Sequence, residues 1–382
     1  MLQLKIIADE KIPYLNELFS EFGVLDTILS SEINPEKIKN YDALFVRTVT
    51  KVNEKLLEGT KIRIVCSMTS GIDHIDRGYL RKKGIKLIYA PGSNARSVAE
   101  YVIACLVVLA RKKKFKLEDK TIGIIGVGNV GTKVAEMCSA LGMRILLRDP
   151  PKYKRTKNKK YITLKNLSDA DIITLHVPLT FSGKYKTYHM VDEEFLSNIK
   201  PGTIFINTSR GAVVDEKALM KFYHRLGGLV LDVWENEPDI NVGLLKLVDI
   251  GTPHIAGYSL DGKFNASYMV YKKLCKYLKI ERKIEKESIL PKLEKKINLS
   301  VDRLDLIAIL YCIIMEVYNP MTDHINLTEI ISMPASERIR HFESLRANYR
   351  MRREFDNYTI VAKNIPSVIH KNLSALGFRI SE

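Results

Sequence analysis

Thr121-Ile-Gly-Ile-Ile-Gly126-Val-Gly128-Asn129-Val130-Gly131-Thr-Lys-Val-Ala-Glu-Met-Cys-Ser-Ala-Leu141 is the stretch on which the reading of the fold turns. Its first five residues make a short apolar run of strand type. Glycines follow at 126, 128 and 131, and apolar residues then recur at helical spacing as far as Leu141. A G-x-G-x-x-G pattern alone is weak, because glycines mark many tight turns. Between a strand and a helix it gains a specific meaning. Gly126 permits the tight turn, Gly128 lets backbone approach a pyrophosphate, and Gly131 lets the helix pack closely on the strand. The helix N-terminus then presents unpaired N–H groups to phosphate oxygens. A further strand, 143–147, ends beside Asp149, whose carboxylate can accept from an adenosine ribose 2′-hydroxyl and repel a 2′-phosphate. That favours NAD over NADP, although Arg148 next to it is the residue type that accepts a 2′-phosphate.

The pattern repeats on both sides of this unit. Upstream, 4–8, 43–47 and 62–66 read as strands, and 14–22 as a helix with Leu15, Leu18 and Phe19 on one face. Downstream, strands are expected at 172–175, 203–207, 229–233 and 248–250, and helical periodicity runs from Tyr258 through Leu278. Strands alternating with helices imply parallel sheets covered on both faces. The fold class is therefore α/β, with two Rossmann-like or flavodoxin-like parallel-sheet lobes. From about Lys286 the glycine-rich turns cease. A long apolar helix at 304–317 and a basic stretch at 346–353 mark a separate small C-terminal α+β domain.

Composition narrows the function classes. The 382 residues with 46% hydrophobic content supply material for two or three cored domains. Five scattered cysteines without a Cys-x-x-Cys pair point to free thiols in a reducing cytoplasm, with neither a disulfide framework nor a metal site. The start lacks the basic flank of a secretory signal, and the longest apolar runs, 101–110 and 306–315, are too short to span a membrane. A net charge of +16 invites a nucleic-acid reading, but the lysines are spread along the chain. Only 112–114 and 152–160 are dense, and no aromatic–basic motif accompanies them, so a solvated basic surface is expected instead.

Three segments each place an ionisable residue just after an expected strand: Ile204-Phe-Ile-Asn-Thr208-Ser209-Arg210-Gly211, Leu231-Asp232-Val-Trp-Glu-Asn-Glu237-Pro238, and Asp249-Ile-Gly-Thr-Pro-His254-Ile-Ala-Gly257-Tyr258. Ligands of open parallel sheets bind beyond the carboxyl ends of the strands. Oxidising a 2-hydroxy acid needs a base for the hydroxyl proton, and His254 suits that near neutrality. Glu237 can fix its tautomer and stabilise the imidazolium. Arg210 can grip a substrate carboxylate bidentately. Asp232 can reach the nicotinamide carboxamide. Each residue taken singly is an ordinary loop charge; their joint appearance behind a nucleotide turn is what gives them weight. His176 is expected near the cofactor as a strand-end residue, and the other histidines have structural or exposed roles.

These segments resemble the D-isomer-specific 2-hydroxyacid dehydrogenase family, which has Arg, Glu and His in this order. The likeness extends over essentially the whole chain, through Ala8-Asp-Glu-Lys-Ile-Pro-Tyr14, Val46-Arg47-Thr48-Val-Thr-Lys-Val-Asn53, Asp149-Pro-Pro151, Gly183-Lys-Tyr-Lys-Thr187 and His254-Ile-Ala-Gly-Tyr-Ser-Leu-Asp-Gly-Lys263. It includes Leu345-Arg-Ala-Asn-Tyr-Arg-Met-Arg-Arg353, similar to an extra C-terminal dimerisation domain in one branch of the family. The resemblance implies NAD-dependent oxidation of a small phosphate-bearing 2-hydroxy acid by a cytoplasmic homodimer. It implies a substrate-binding lid domain at 1–95 and 258–285, an NAD-binding domain at 96–257, and a dimerisation domain at 286–382, with the active site in a cleft between the first two. Arg210, Glu237 and His254 match the catalytic positions. Asp149, Val177, Thr208, Ser209, Arg210, Asp232 and Gly257 match cofactor contacts, beside the 126–131 turn. Thr48, Thr69 and Tyr258 match substrate contacts. The family more often has Ser where Thr48 stands, and its Thr-Ala-Gly-Thr-Asp-His is here Thr69-Ser-Gly-Ile-Asp-His74. Arg47 is a candidate for the substrate phosphate or for a structural ion pair. Two competing functions share these residues: a dehydrogenase acting on 3-phosphoglycerate, and a non-catalytic protein that senses NADH.

Overall fold

The apolar runs become strands where helices cover both faces. The structure, a computed structural model, describes residues 3–281, 284–299, 305–363 and 365–381. By contact it divides into two compact units, Met1–Asn94 with Ser259–Lys292, and Ala95–Tyr258 with Leu293–Glu382.

In the first unit, β1 (Leu4–Asp9), β2 (Gly23–Ile28), β3 (Ala43–Val46), β4 (Ile64–Ser67) and β5 (Lys86–Tyr89) form a parallel sheet in the order β2-β1-β3-β4-β5. That is the flavodoxin-like order. β3 and β4 are wholly buried, hence their unbroken apolar sequence. β2 and β5 are edge strands with mixed burial, and their polar residues hid them from a periodicity reading. The expected 14–22 helix is a short helix, Leu15–Phe19, tightening into a 3-10 turn, Ser20–Phe22. The helix Leu260–Leu278 rejoins this unit, its Tyr271 ring edge-on to Phe19 and Phe22. Ser259 caps it, accepting from the Gly262 N–H at 2.8 Å.

The second unit holds β6 (Thr121–Ile125), β7 (Arg144–Arg148), β8 (Ile172–Leu175), β9 (Ile204–Asn207), β10 (Gly228–Leu231) and β11 (Ile250–Gly251), parallel and ordered β11-β10-β9-β8-β6-β7. The strand order reverses at β6, so the glycine turn that follows it stands at the switch point where ligands of such sheets bind. The isolated bridge Leu147↔Tyr161 sits beyond β7, where a Rossmann sheet would add its next strand.

Leu293–Glu382 has a parallel sheet of its own, β12 (Lys295–Asn298), β13 (Tyr358–Val361) and β14 (Arg379–Ser381), and packs with Ala95–Tyr258 in one unit. The expected 304–317 helix is Leu306–Val317, with Leu304 outside the described residues. It lies against the helix Ala95–Lys113, whose residues from Val98 to Ala110 are almost all buried. A helix covered on every side has no solvated stripe, which explains the unbroken run 101–110. No single helix among the described residues is long and apolar enough to cross a membrane, and Leu306–Val317 is bent by 59° from the segment Pro320–Ser332 that follows it.

The basic stretch 346–353 includes one buried charge. Arg352 is only 3% exposed. Its Nη2 donates to the Ser97 carbonyl at 2.7 Å and its Nη1 to that of Ala256 at 3.3 Å. The neighbouring Glu354 accepts from Ser97 Oγ at 2.7 Å. The arginine thus ties the C-terminal segment to the nucleotide-type unit through backbone carbonyls.

Candidate active site

The glycine turn has the shape its sequence implies. Gly126 takes φ 87°, a conformation L-residues avoid, and a Cβ there would meet the His176 carbonyl. A Cβ on Gly131 would overlap the carbonyl oxygen of Gly126, so the helix Asn129–Ala140 rests directly on the turn. Above Gly128 there is open space: nothing lies within 4 Å of a Cβ built on it. The N–H groups at this helix start therefore have room for a large anion. Asp149 caps the next helix, accepting from the Lys152 N–H at 2.9 Å and from the Val127 N–H at 3.0 Å. Its carboxylate is thereby fixed against the turn, where a ribose would follow a bound pyrophosphate. Lys152 Nζ reaches the Val127 carbonyl on the same turn.

The three catalytic candidates leave three adjacent strands, β9, β10 and β11, and their loops are knitted together. A Cβ on Gly211 would overlap the Trp234 backbone, so only glycine lets the Arg210 loop run against the Glu237 loop. Trp234 Nε1 donates to the Thr252 carbonyl at 3.0 Å, joining the Glu237 loop to the His254 loop. The His254 N–H donates to the Asp232 carbonyl at 2.7 Å. Arg210 Nη1 folds onto the Ser209 carbonyl at 2.7 Å, and Asn207 Nδ2 holds the Arg210 carbonyl at 3.0 Å.

Within this set Glu237 and His254 are directly bonded, Oε1 of the carboxylate to Nδ1 of the ring. The second oxygen of Glu237 accepts from the Trp234 N–H at 3.3 Å. Burial pushes the Glu237 carboxyl up, but the His254 charge and hydrogen bond, the Arg346 guanidinium and the Trp234 amide outweigh it and hold it below the usual range. With Nδ1–H committed to Glu237, Nε2 is the ring nitrogen left with a lone pair. His254 itself sits at φ 57°, a left-handed conformation uncommon for a residue with a side chain.

Asp232, read from sequence as a carboxamide contact, is 1% exposed, and its carboxylate is occupied by the turn that carries His254. Oδ1 accepts from Thr252 Oγ1 at 2.6 Å and from the Ile255 and Ala256 N–H groups at 2.7 and 3.0 Å. Burial raises its carboxyl above the usual value even so. His176 lies between Thr174 Oγ1 at 3.0 Å and Thr208 Oγ1 at 3.2 Å. Burial pushes its imidazole down to about 3, so it is neutral near pH 7 and no rival to His254 as a proton acceptor. Ser209 Oγ is bonded to Asn207 at 2.7 Å, and Val177 packs at the edge of the core beneath the turn.

Three further candidates, Arg47, Thr48 and Thr69, belong to the first unit, and Gly257 and Tyr258 to the second. Arg47 Nε donates to the fully buried Asp9 at 2.8 Å in an ion pair. Thr48 is exposed, whereas Thr69 is nearly buried and donates to the Gly71 carbonyl at 2.6 Å. One residue escaped the sequence reading. Arg346 Nη2 donates to the Tyr258 hydroxyl at 3.3 Å from 88 positions away, and no local spacing announces it.

Residues 107–256 match the model of the D-isomer-specific 2-hydroxyacid dehydrogenase NAD-binding domain. Solved structures share the fold. D-lactate dehydrogenase from Aquifex aeolicus, complexed with NAD and lactic acid, is 29% identical with TM-score 0.61, over 72% of this chain and 95% of its own. The NAD-bound 3-phosphoglycerate dehydrogenase of Entamoeba histolytica is 25% identical with TM-score 0.63, over 72% and 96%. Fold and site thus define a D-isomer-specific 2-hydroxyacid dehydrogenase. Two relatives are similar over nearly the full length: the erythronate-4-phosphate dehydrogenases of Photorhabdus laumondii, 40% identical over 98% of this chain and 99% of that protein, and of Salmonella arizonae, 41% identical over 98% of each. The chain belongs to the erythronate-4-phosphate dehydrogenase family.

Proposed function

We propose that the protein oxidises 4-phospho-D-erythronate to 2-oxo-3-hydroxy-4-phosphobutanoate with NAD, a step of pyridoxal 5′-phosphate biosynthesis. The observation that carries this reading is the full-length identity to relatives of that name, together with a directly bonded Glu237–His254 pair at the strand ends.

The residues support NAD as the cofactor. The 126–131 turn, including Asn129 and Val130, would receive the pyrophosphate over the open face of Gly128, and Asp149 the adenosine ribose. Val177, Thr208, Ser209 and Gly257 are assigned to the rest of the cofactor. When bound, the nicotinamide supplies the acceptor for the hydride on C2. His254 Nε2 takes the proton of the 2-hydroxyl as that bond becomes a carbonyl, so one hydride and one proton leave the substrate. Glu237 keeps Nδ1 protonated and offsets the imidazolium charge that forms. Arg210 pairs with the substrate carboxylate. Thr48, Thr69, Arg47 and Tyr258 are assigned to the remainder of the substrate, including its phosphate.

We assign 1–95 with 258–285 to substrate binding, 96–257 to NAD binding and 286–382 to dimerisation. The exposed apolar side chains Ile325, Met351 and Val368 are surface that a second copy would cover. Free cysteines, four of the five buried, accord with a reducing cytoplasm. Purified protein given NAD with either 4-phospho-D-erythronate or 3-phosphoglycerate tests the assignment through NADH absorbance. Preference for the four-carbon acid is expected, and preference for phosphoglycerate would overturn the narrower reading. A single-protomer mass in solution would reject the dimer.

A further inference from the structure

Arg346 is the penultimate residue of the helix Ala335–Ala347, far from the nucleotide turn in sequence yet within the same compact unit. Its Nη2 donates to the Tyr258 hydroxyl at 3.3 Å, four residues beyond His254. Its charge also faces Glu237 and Asp232, the two carboxylates that hold His254 and its turn. Its Nε is buried with no hydrogen-bond partner. An arginine serving only as packing would be replaced without loss by an apolar side chain, since an unsatisfied buried donor is costly.

We infer that Arg346 is a positioning residue for the proposed dehydrogenation: its charge tunes the Glu237–His254 pair and its fork orients the Tyr258 hydroxyl. The C-terminal segment would then take part in the reaction as well as in assembly. This rests on the reading of His254 as the base.

The charged and titratable groups that face the Glu237–His254 pair are Asp232 from the loop after β10, Tyr258 from the His254 turn through its bond to Arg346, and Arg346 from the C-terminal helix. The carboxylates favour the imidazolium and Arg346 opposes it. Removing that positive charge removes the opposition to the imidazolium. Because the oxidation needs a neutral imidazole, the acid limb of kcat/KM should move up.

The experiment is the pH profile of kcat/KM on 4-phospho-D-erythronate for wild type, Arg346→Gln and Arg346→Lys, with NAD binding titrated by fluorescence to check the fold. Arg346→Gln is expected to raise the acid limb by roughly half a pH unit or more. Arg346→Lys should keep the limb in place, because the charge remains, and raise KM several-fold as the fork to Tyr258 is lost. An unmoved limb in a glutamine variant that still binds NAD overturns the inference, as does an equal shift in both variants. If the glutamine variant loses NAD binding, the lysine variant decides: raised KM with a fixed limb supports the role, and wild-type kinetics refute it. An inactive wild type would remove the functional reading as well, whereas an active one with an unmoved limb removes only the role of Arg346.

Discussion

Glu237 holds Nδ1 of His254, and the two residues come from loops that follow neighbouring parallel strands. The loops are tied to each other: Trp234 is locked to Thr252 at 3.0 Å, and the His254 amide to Asp232 at 2.7 Å. Preorganisation of this kind lets the ring accept a proton without first being oriented.

Replacing Glu237 with Gln should lower kcat/KM by about two to three orders of magnitude. The direction of the pH effect follows from charge. Losing the negative partner disfavours the imidazolium, so the acid limb of the profile should move down, opposite to the shift expected for Arg346→Gln. Steady-state profiles of NADH formation read both.

The two glycines of the turn separate stability from binding. Gly131→Ala forces a Cβ into the Gly126 carbonyl and should cost several kcal/mol, on the order of other overpacking changes, seen as a lower Tm. Gly128→Ala points into open space from an ordinary negative φ of −78°. It should leave Tm nearly unchanged while weakening NAD binding at least about tenfold by blocking the backbone approach. Calorimetry and NAD titration on the same pair of variants test this.

His176 gives the fold an acid-side weakness. Its imidazole is depressed from 6.5 to about 3 by burial. Below pH 6.5 the unfolded chain binds a proton there that the native state refuses, so stability is complete above 6.5 and falls as pH drops toward 3. At pH 5 the loss from this one group is about 2 kcal/mol at most. Thermal melts between pH 7 and 5 should show a shallower decline for His176→Gln than for wild type.

Much of this was legible in the sequence, and where it was not the reasons are physical. β6, β8 and β9 are buried on both faces, so their apolar runs marked them. The glycine turn was legible because each glycine answers a separate steric demand. The edge strands β2 and β5 and the short strands of the C-terminal sheet carry polar residues toward solvent, and periodicity failed there. Among the candidate site residues, Arg210, Glu237 and His254 are legible as candidates because each follows a strand. Asp232, a candidate for the nicotinamide carboxamide, has its carboxylate engaged by the Ile255 and Ala256 amides, a pairing across more than twenty residues that no local pattern encodes. Arg346 was passed over for the same reason. Tertiary packing, not spacing, brings it to Tyr258.

The measurement that bears most directly on the chemistry is the turnover of His254→Ala with 4-phospho-D-erythronate and NAD, set beside its NAD affinity. Removal of the base should cut kcat by about a thousandfold while NAD binds as in the wild type, because the ring lies on a different loop from the glycine turn. Turnover at the wild-type rate in a variant that binds NAD normally would contradict the assignment of His254 and, with it, the mechanism built on the Glu237 pair.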